Sequence, residues 1–508
     1  MVPLNLSETI GPAVSCEGSL WSLLQHTAAE HPNNIALRCL KQPGGHLAGL
    51  LPPNLCNASE QQHFVWTYAQ LCAVARLLAA RLQKLRLTKG SVLVAFCSSS
   101  AEFAVLFWSC AAAGVILAPL NPRLLDRAGE LRHAFDVLQP SAIATLDTES
   151  IAALSKSCLD IILSNQVKLK LAQSSESKPP PAGWQTLQTL FEDKDDSFGE
   201  KGAPGIQDSG DAVAVILMTS GTTSLPKACP HTGRNLRAQT NTYHSARRLC
   251  SDSTTLAIGP VFHVQAIWFM LMAWRAGATL IFPSPHFDAV SIVDALNGFD
   301  CNYMTGSPSI MFALMSQPHF SQSGYPSLGL LGLGADRVDQ SLVHRCQIAF
   351  KTQNVVNGWG MTESIGAIAT PYGNPAVWQD DALTVGYVAA GSAIRICAPN
   401  SNDMTPVPRG QMGELQVSGT TIISGYYEKG EIIRTDAFCQ SLDRTWFKTG
   451  DAAFMDSNGY VFLSGRYKDL IIRGGENVHP GLVESCLNSI PGIQVSFYLV
   501  LPFICFGD

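Results

Sequence analysis

Positive charge is scarce in this sequence: 34 Lys and Arg are outnumbered by 40 Asp and Glu, for a net charge of −6. That balance leaves no basic footprint for nucleic acid and no polybasic anchor for a membrane surface. The fifteen cysteines include no C-x-x-C pair, and no histidine cluster falls at zinc-like spacing. They are therefore expected as reduced thiols, mostly packed inside. The N-terminal "MVPLNLSETIGPAVSC" lacks the basic start and apolar stretch of a signal peptide. A cytoplasmic location is the expectation, and the Asn5 and Asn57 sequons carry no weight. No repeat period is apparent. Long apolar runs are absent too, save Phe103 to Leu120. There Gly114 divides a buried helix, "FAVLFWSCAAAG", from a core strand, "VILAPL", so no transmembrane segment is expected.

What is present suits a large globular chain, with 508 residues and 46% hydrophobic content. Apolar strands such as "VAVILM" and "TLIFP" alternate with helical patterns such as "SIVDALNGF". The alternation predicts α/β architecture with buried, largely parallel strands. Three stretches read as loops: residues 41–63, a Gly/Pro-rich insertion; 174–210, a polar surface linker; and 398–413, a turn-rich connection between strands.

The stretch with the most chemistry is "LMTSGTTSLPKACPHTGRNL", Leu217 to Leu236. A buried strand, Asp211 to Met218, runs into Thr219, Ser220, Gly221, Thr222, Thr223 and Ser224, then Leu225, Pro226 and Lys227. Small hydroxyl and glycine residues let N–H and O–H donors converge on phosphate oxygens, and Lys227 adds a compact positive charge. A plain Gly/Ser/Thr turn with a solvated lysine is the alternative. A nucleotide P-loop is excluded, because Lys227 follows proline and precedes alanine. A serine β-lactamase set can be assembled from Ser224 with Lys227, Ser251-Asp252-Ser253 and Lys448-Thr449-Gly450. Its first two parts crowd together, however, and no export signal accompanies them.

"TSGTTSLPKA" resembles the phosphate loop of the adenylate-forming (AMP-binding) superfamily, with Ser224 and Ala228 where glycines are usual. Further segments resemble that family in order. They are "GPVFHVQA" (259–266), "TGSPSI" (305–310), "GLGAD" (332–336), "NGWGMTES" (357–364), "GELQVSGTTIISGYY" (413–427), "WFKTGD" (446–451) and "GRYKDLIIRGGENVHPGLVE" (465–484). The likeness runs from about residue 20 to about residue 493 and extends to fungal secondary-metabolism acyl-CoA ligases.

The resemblance implies a large N-terminal domain of layered sheets and helices over residues 1–467. A small α+β domain would begin at 468 and continue to 508. It also implies chemistry: a carboxylic acid is joined to AMP, pyrophosphate leaves, and the acyl group passes to coenzyme A. ATP and Mg²⁺ are the implied cofactors. Thr222, Thr223 and Lys227 would contact the β- and γ-phosphates, and Thr222 and Glu363 would hold Mg²⁺. Asn357, Gly358, Trp359, Gly360, Met361 and Thr362 would bind the nucleotide, with Trp359, where tyrosine is usual, offering a flat apolar face to adenine. Asp451 would take the ribose hydroxyls, and Arg466 ribose or phosphate. Lys468 would be the hinge, with Gly474 and Gly475 beside the pantetheine path. His263 would gate the acyl pocket, lined also by Val264, Gly306, Ser307, Gly334 and Ala335. Lys227, Glu363 and His263 are thus the candidate catalytic residues. A polyketide or peptide synthetase pathway is an implied setting, and a medium-chain, long-chain or branched acid is favoured over an amino acid.

Relatives carry a further lysine in a P-x-x-x-x-G-K segment near their C-terminus, and no lysine follows Lys468 here. The family pattern fails after Ile493, at "QVSFYLVLPFICFGD". The expectation is a truncated small domain, whether from translation into an intron or from a true terminus, and adenylation slowed by loss of that cation. The final "FGD" is no peroxisomal signal, though a longer form could carry one. An inactive nucleotide-binding remnant and a stand-alone adenylation enzyme serving a carrier protein are the alternatives.

Overall fold

The structure is a computed structural model. It describes every residue outside 1–4, 57–60, 146–147, 163–168, 173–180, 193–209, 220–224, 246–248, 337, 371–377, 380–381, 400–403, 442–443, 468–470, 474–475 and 479–508.

Strand residues alternate between two faces, and here both faces are apolar. In Val92–Phe96, residues Val92, Val94 and Phe96 enter one hydrophobic cluster while Leu93 and Ala95 enter another. Such strands need cover on both sides, as parallel sheets do. Val92–Phe96 lies within a nine-stranded sheet. Its centre is parallel: Val92–Phe96 pairs with Ile116–Leu120 and Ala142–Thr145, and Ile116–Leu120 pairs with Val213–Met218. A seven-stranded sheet is built likewise around Thr254–Leu256, Thr279–Phe282, Tyr303–Gly306, Leu330–Leu333 and Val355–Asn357.

Between these sheets lie the helices Leu20–Glu30, Tyr68–Lys84, Ala101–Ala113 and Val264–Arg275. They share one core with both sheets, including Trp21, Trp108 and Trp274. Trp274 donates its indole N–H to the Ala36 carbonyl at 3.1 Å, and Tyr68 donates to the Ala278 carbonyl at 2.7 Å. Trp274 and Tyr68 are thereby buried with their polar atoms paired, whereas the indole N–H groups of Trp21 and Trp108 have no hydrogen-bond partner among the described residues. A third sheet, six-stranded and antiparallel, contains Ser392–Cys397, Gly413–Gly419 and Arg444–Met455. The layered α/β expectation is met.

The Phe103–Leu120 run is a helix ending at Gly114 followed by a strand, as its composition predicts. Among the described residues no helix is long and apolar enough to cross a membrane. The 41–63 insertion is pinned to the core: Glu102 accepts from Gln42 Nε2 at 2.8 Å and lies 2.6 Å from His46 Nε2. Burial pushes the Glu102 carboxyl up, but these partners hold it below its ordinary pKa. Within the 174–210 stretch, residues 181–192 are not a linker, and 174–180 and 193–209 lie outside the described residues. Gln185–Thr186 adds an edge strand to the nine-stranded sheet, and Trp184, Leu187 and Leu190 anchor it by burial.

Candidate functional site

The Gly/Ser/Thr-rich loop leaves the strand Val213–Met218, and the chain returns as Ala228–Thr232, antiparallel to it, with Ala228 opposite Met218. Its base is closed twice. The Thr219 N–H donates to the Lys227 carbonyl at 2.9 Å, and the Lys227 N–H donates to Thr219 Oγ1 at 3.0 Å. Pro226 offers its carbonyl to His133 at 3.0 Å. Ser220, Gly221, Thr222, Thr223 and Ser224 lie outside the described residues. The exposed Lys227 has its Nζ 4.7 Å from the centroid of the Tyr426 ring, within cation–π range.

Tyr426 stands on the strand Tyr426–Glu428, which joins the same sheet beside Ala228–Thr232. Its phenol donates to Glu363 Oε1 at 2.9 Å. Glu363 is 9% exposed and sits on the short 3₁₀ turn Thr362–Ser364. Burial, and then the Glu363 charge, raises the Tyr426 pKa, so the phenol keeps its proton as donor. Glu363 Oε2 has no hydrogen-bond partner among the described residues. No group of three or more His, Cys, Asp or Glu that could hold a metal occurs among them either. Magnesium is usually held by one or two carboxylates together with substrate phosphates, so a single carboxylate with one open oxygen fits it.

A second carboxylate lies nearby. Asp451, 8% exposed, accepts from the Trp359 indole N–H at Oδ2, 2.9 Å away. Its Oδ1 is 3.1 Å from Arg466 Nε, directly across the strand pair. Burial raises the Asp451 pKa, Glu363 adds to the rise, and Arg466 and Trp359 oppose it. Trp359 is thus more than an apolar wall: its N–H orients the ribose-site candidate. Sequence reading gave no sign of this pair, which spans 92 positions.

The acyl-side candidates gather where the seven-stranded sheet's parallel strands end, the usual ligand edge of such sheets. The Gly334 N–H donates to the Gly306 carbonyl at 3.3 Å, and the Gly358 N–H to the Leu333 carbonyl at 2.9 Å. A Cβ at Gly334 would lie 2.9 Å from the Gly358 oxygen, so only glycine fits there. Ala335 is held at φ 66, a left-handed conformation unusual for alanine. Ser307 precedes the helix Pro308–Met315 and shares a 2.9 Å hydrogen bond with Ser309. Asn357 ends the strand Val355–Asn357, while Gly360 and Met361 belong to the hairpin strand Trp359–Met361.

His263 caps the helix Val264–Arg275 through its backbone alone, and its ring reaches solvent beside Phe262, 4.9 Å between centroids. Surrounding protein lowers its pKa, which keeps it neutral. Among the described residues its ring forms no hydrogen bond or ion pair with Glu363 or Asp451. Gln265, two residues on, donates to Thr305 Oγ1 at 3.1 Å. Neither Gln265 nor Tyr426 was singled out as a site residue by its sequence. Lys468, Gly474 and Gly475 lie outside the described residues, though Ile471–Arg473 and Glu476–Val478 flank the latter two as an antiparallel pair.

The chain as a whole is similar to known proteins. A family model described as AMP-binding enzyme matches residues 24–427. The long-chain-fatty-acid–CoA ligase FadD13 of Mycobacterium tuberculosis is 27% identical over 447 residues, covering 87% of this chain and 81% of its own. An acyl–CoA ligase of Pestalotiopsis microspora is 26% identical, covering 100% of this chain and 88% of its own. Among solved structures, the anthranilate CoA ligase AuaEII in complex with anthranoyl-AMP superposes with a TM-score of 0.78 at 19% identity, covering 95% of this chain and 84% of its own. ATP-bound MatB from Rhodopseudomonas palustris gives a TM-score of 0.75 at 23% identity, covering 94% and 85%. Matched across most of its length and sharing the adenylate-forming fold, the chain belongs to the AMP-binding enzyme family, and its relatives are acyl-CoA ligases.

Proposed function

We propose that the chain condenses a carboxylic acid with ATP and then transfers the acyl group to coenzyme A. In the first step a carboxylate oxygen bonds to the α-phosphorus, and the bond from that phosphorus to the bridging oxygen breaks, releasing pyrophosphate. In the second, the thiol sulfur bonds to the acyl carbon, its proton passes to solvent, and AMP departs with its phosphate oxygen. Both reactants of the first step are anions, so the protein's task is to bring like charges together.

The observation that carries this reading is the pair of buried carboxylates, Glu363 and Asp451, within electrostatic reach of each other and flanked by Lys227 and Arg466. Glu363 would hold Mg²⁺ through its open oxygen, with Thr222 contributing a hydroxyl. The ion would neutralise phosphate charge. Lys227 would swing from the Tyr426 ring to the phosphates, joined by Thr222 and Thr223. Asp451 would receive the ribose hydroxyls. Both its oxygens are engaged, and Arg466, with half its side chain exposed, is the partner free to yield. Trp359, tied by its N–H, would set its face against adenine. His263 would stand at the entrance to the acyl pocket lined by Val264, Gly306, Ser307, Gly334 and Ala335.

The finer assignments belong to the same proposal. They are a boundary after residue 467 with Lys468 as hinge, Gly474 and Gly475 beside pantetheine, a non-amino acid substrate, and a cytoplasmic role in secondary metabolism. The CoA-ligase names of the relatives support the thiol acceptor. The test is pyrophosphate release over a panel of carboxylic acids, with the thioester identified by mass. Folded protein that binds no nucleotide by calorimetry would overturn the reading.

A further inference from the structure

We propose that Tyr426 is a positioning residue that ties the phosphate-loop lysine to the metal-side carboxylate, so that metal and phosphate bind as one event. The inference rests on the roles proposed above for Glu363 and Lys227. Three separate segments meet on this one side chain: residue 227 at the loop's return, 363 on the 3₁₀ turn, and 426 on a neighbouring strand.

The phenol and the ring do different work. The O–H fixes Oε1 of Glu363 at 2.9 Å, which leaves Oε2 as the open oxygen and prevents the carboxylate from turning. The ring face carries the Lys227 ammonium, with Nζ 4.7 Å from its centroid. A cation on a ring is held more weakly than one on a phosphate, so the ring is a resting place that an arriving triphosphate empties.

The platform itself is rigid. Tyr426 is 8% exposed and packs edge-on against Phe438, 5.9 Å away at 74°. Phe438 in turn packs on Phe447 at 5.0 Å and 70°. The stack runs from the site into the core of the antiparallel sheet. A ring that merely filled this core would need no hydroxyl and no cation over its face.

The test is calorimetric binding of ATP to the full chain at a series of Mg²⁺ concentrations, with thermal unfolding alongside. Tyr426→Phe keeps the packing and the cation–π face and removes only the donor. It is expected to raise the half-saturating Mg²⁺ about tenfold, the effect of a hydrogen bond to a charged group. ATP binding without Mg²⁺ should stay close to wild type, while Tm falls because the buried Glu363 carboxylate loses its donor. Tyr426→Leu should also tighten the Mg²⁺-free binding slightly, because the ring no longer competes with the phosphates for Lys227. Glu363→Gln should shift the Mg²⁺ dependence, and adding Tyr426→Phe to it should cost nothing further, since the two act as a unit. If Tyr426→Phe leaves the Mg²⁺ dependence unchanged while Glu363→Gln shifts it, the positioning role is overturned and the Glu363 reading stands. If Glu363→Gln shifts nothing, the Glu363 reading falls first and takes the proposal with it.

Discussion

Glu363 and Asp451 are both buried carboxylates, and each takes one hydrogen bond of 2.9 Å from an aromatic side chain, Tyr426 and Trp359 respectively. They differ in the second oxygen. Asp451 has Arg466 beside it, whereas Glu363 Oε2 has no hydrogen-bond partner among the described residues. His231 stands at the other extreme. It is fully buried on the strand Ala228–Thr232, and neither ring nitrogen makes a well-formed hydrogen bond among the described residues. Burial cost is thus met in three ways: by a donor plus a cation, by a donor plus an open valence, and by remaining neutral. The open valence is the one that suits a ligand, because a carboxylate oxygen without a protein partner can meet a cation without first breaking a bond.

The largest expected effect comes from the group with least support. Burial lowers the His231 pKa from 6.5 to about 3, with the nearby Thr362 backbone opposing only in part. The unfolded chain therefore binds a proton that the folded chain refuses between those two values. Stability is intact above pH 6.5 and declines as pH falls toward about 3, by an amount on the order of 4 kcal/mol at the bottom of that window. His231→Leu should flatten this part of the acid limb in denaturant unfolding measured at successive pH values. An unchanged limb would show that other groups set it.

Next come the groups that meet charge directly. Glu363→Ala and Lys227→Ala should each weaken MgATP binding by roughly 1–3 kcal/mol, as lost hydrogen bonds to charged partners do. Calorimetry on the folded variants reads this. Equal loss from both would sharpen the contrast with Asp451, whose partner is already within the protein.

Asp451→Asn should separate binding from stability. Its carboxyl pKa is raised, so the folded site disfavours the charge it carries at neutral pH. The sign follows: the folded state holds its proton to higher pH than the unfolded state, and this contribution to stability is lost as pH rises. An amide keeps an acceptor for the Trp359 N–H and removes the buried charge. Tm should hold or rise, while ATP affinity falls about tenfold from the loss of a charged acceptor for ribose. A marked drop in Tm would mean that the Arg466 pair outweighs burial.

The contrast also explains what the sequence could and could not reveal. Val92, Val94 and Phe96 alternate with Leu93 and Ala95, and an apolar residue at every position announces a strand covered on both faces. That signal is local, as are the ordered motifs ending at Lys227, Glu363 and Asp451. Trp184, Leu187 and Leu190, by contrast, sit in a stretch whose overall polarity reads as linker, and only tertiary burial turns part of it into an edge strand and helix. Tyr426 follows the same logic at the site. Its meaning arises where segments 63 positions apart converge, and nothing adjacent to it in the chain points to Glu363 or Lys227. The Trp359–Asp451 pair is hidden for the same reason.

The smallest expected effect lies on the acyl side, where a polar pair takes the place of the carboxylates. Gln265 donates to Thr305 Oγ1 at 3.1 Å, one residue before Gly306, and its own amide oxygen has no partner among the described residues. The Thr305 bond fixes the amide plane and leaves that oxygen as an acceptor, beside the acyl pocket proposed above. A site holding such an acceptor favours an acid that brings a hydroxyl or amine to it over an equally long plain alkyl acid, because the plain acid leaves the oxygen unpaired. Gln265→Leu should therefore shift the ratio of kcat/KM values for matched hydroxylated and plain acids by about fivefold toward the plain one, with the effect small because the amide is half exposed rather than sealed. Pyrophosphate release with the paired acids measures the ratio. A ratio that does not move would mean the Gln265 oxygen meets water rather than substrate.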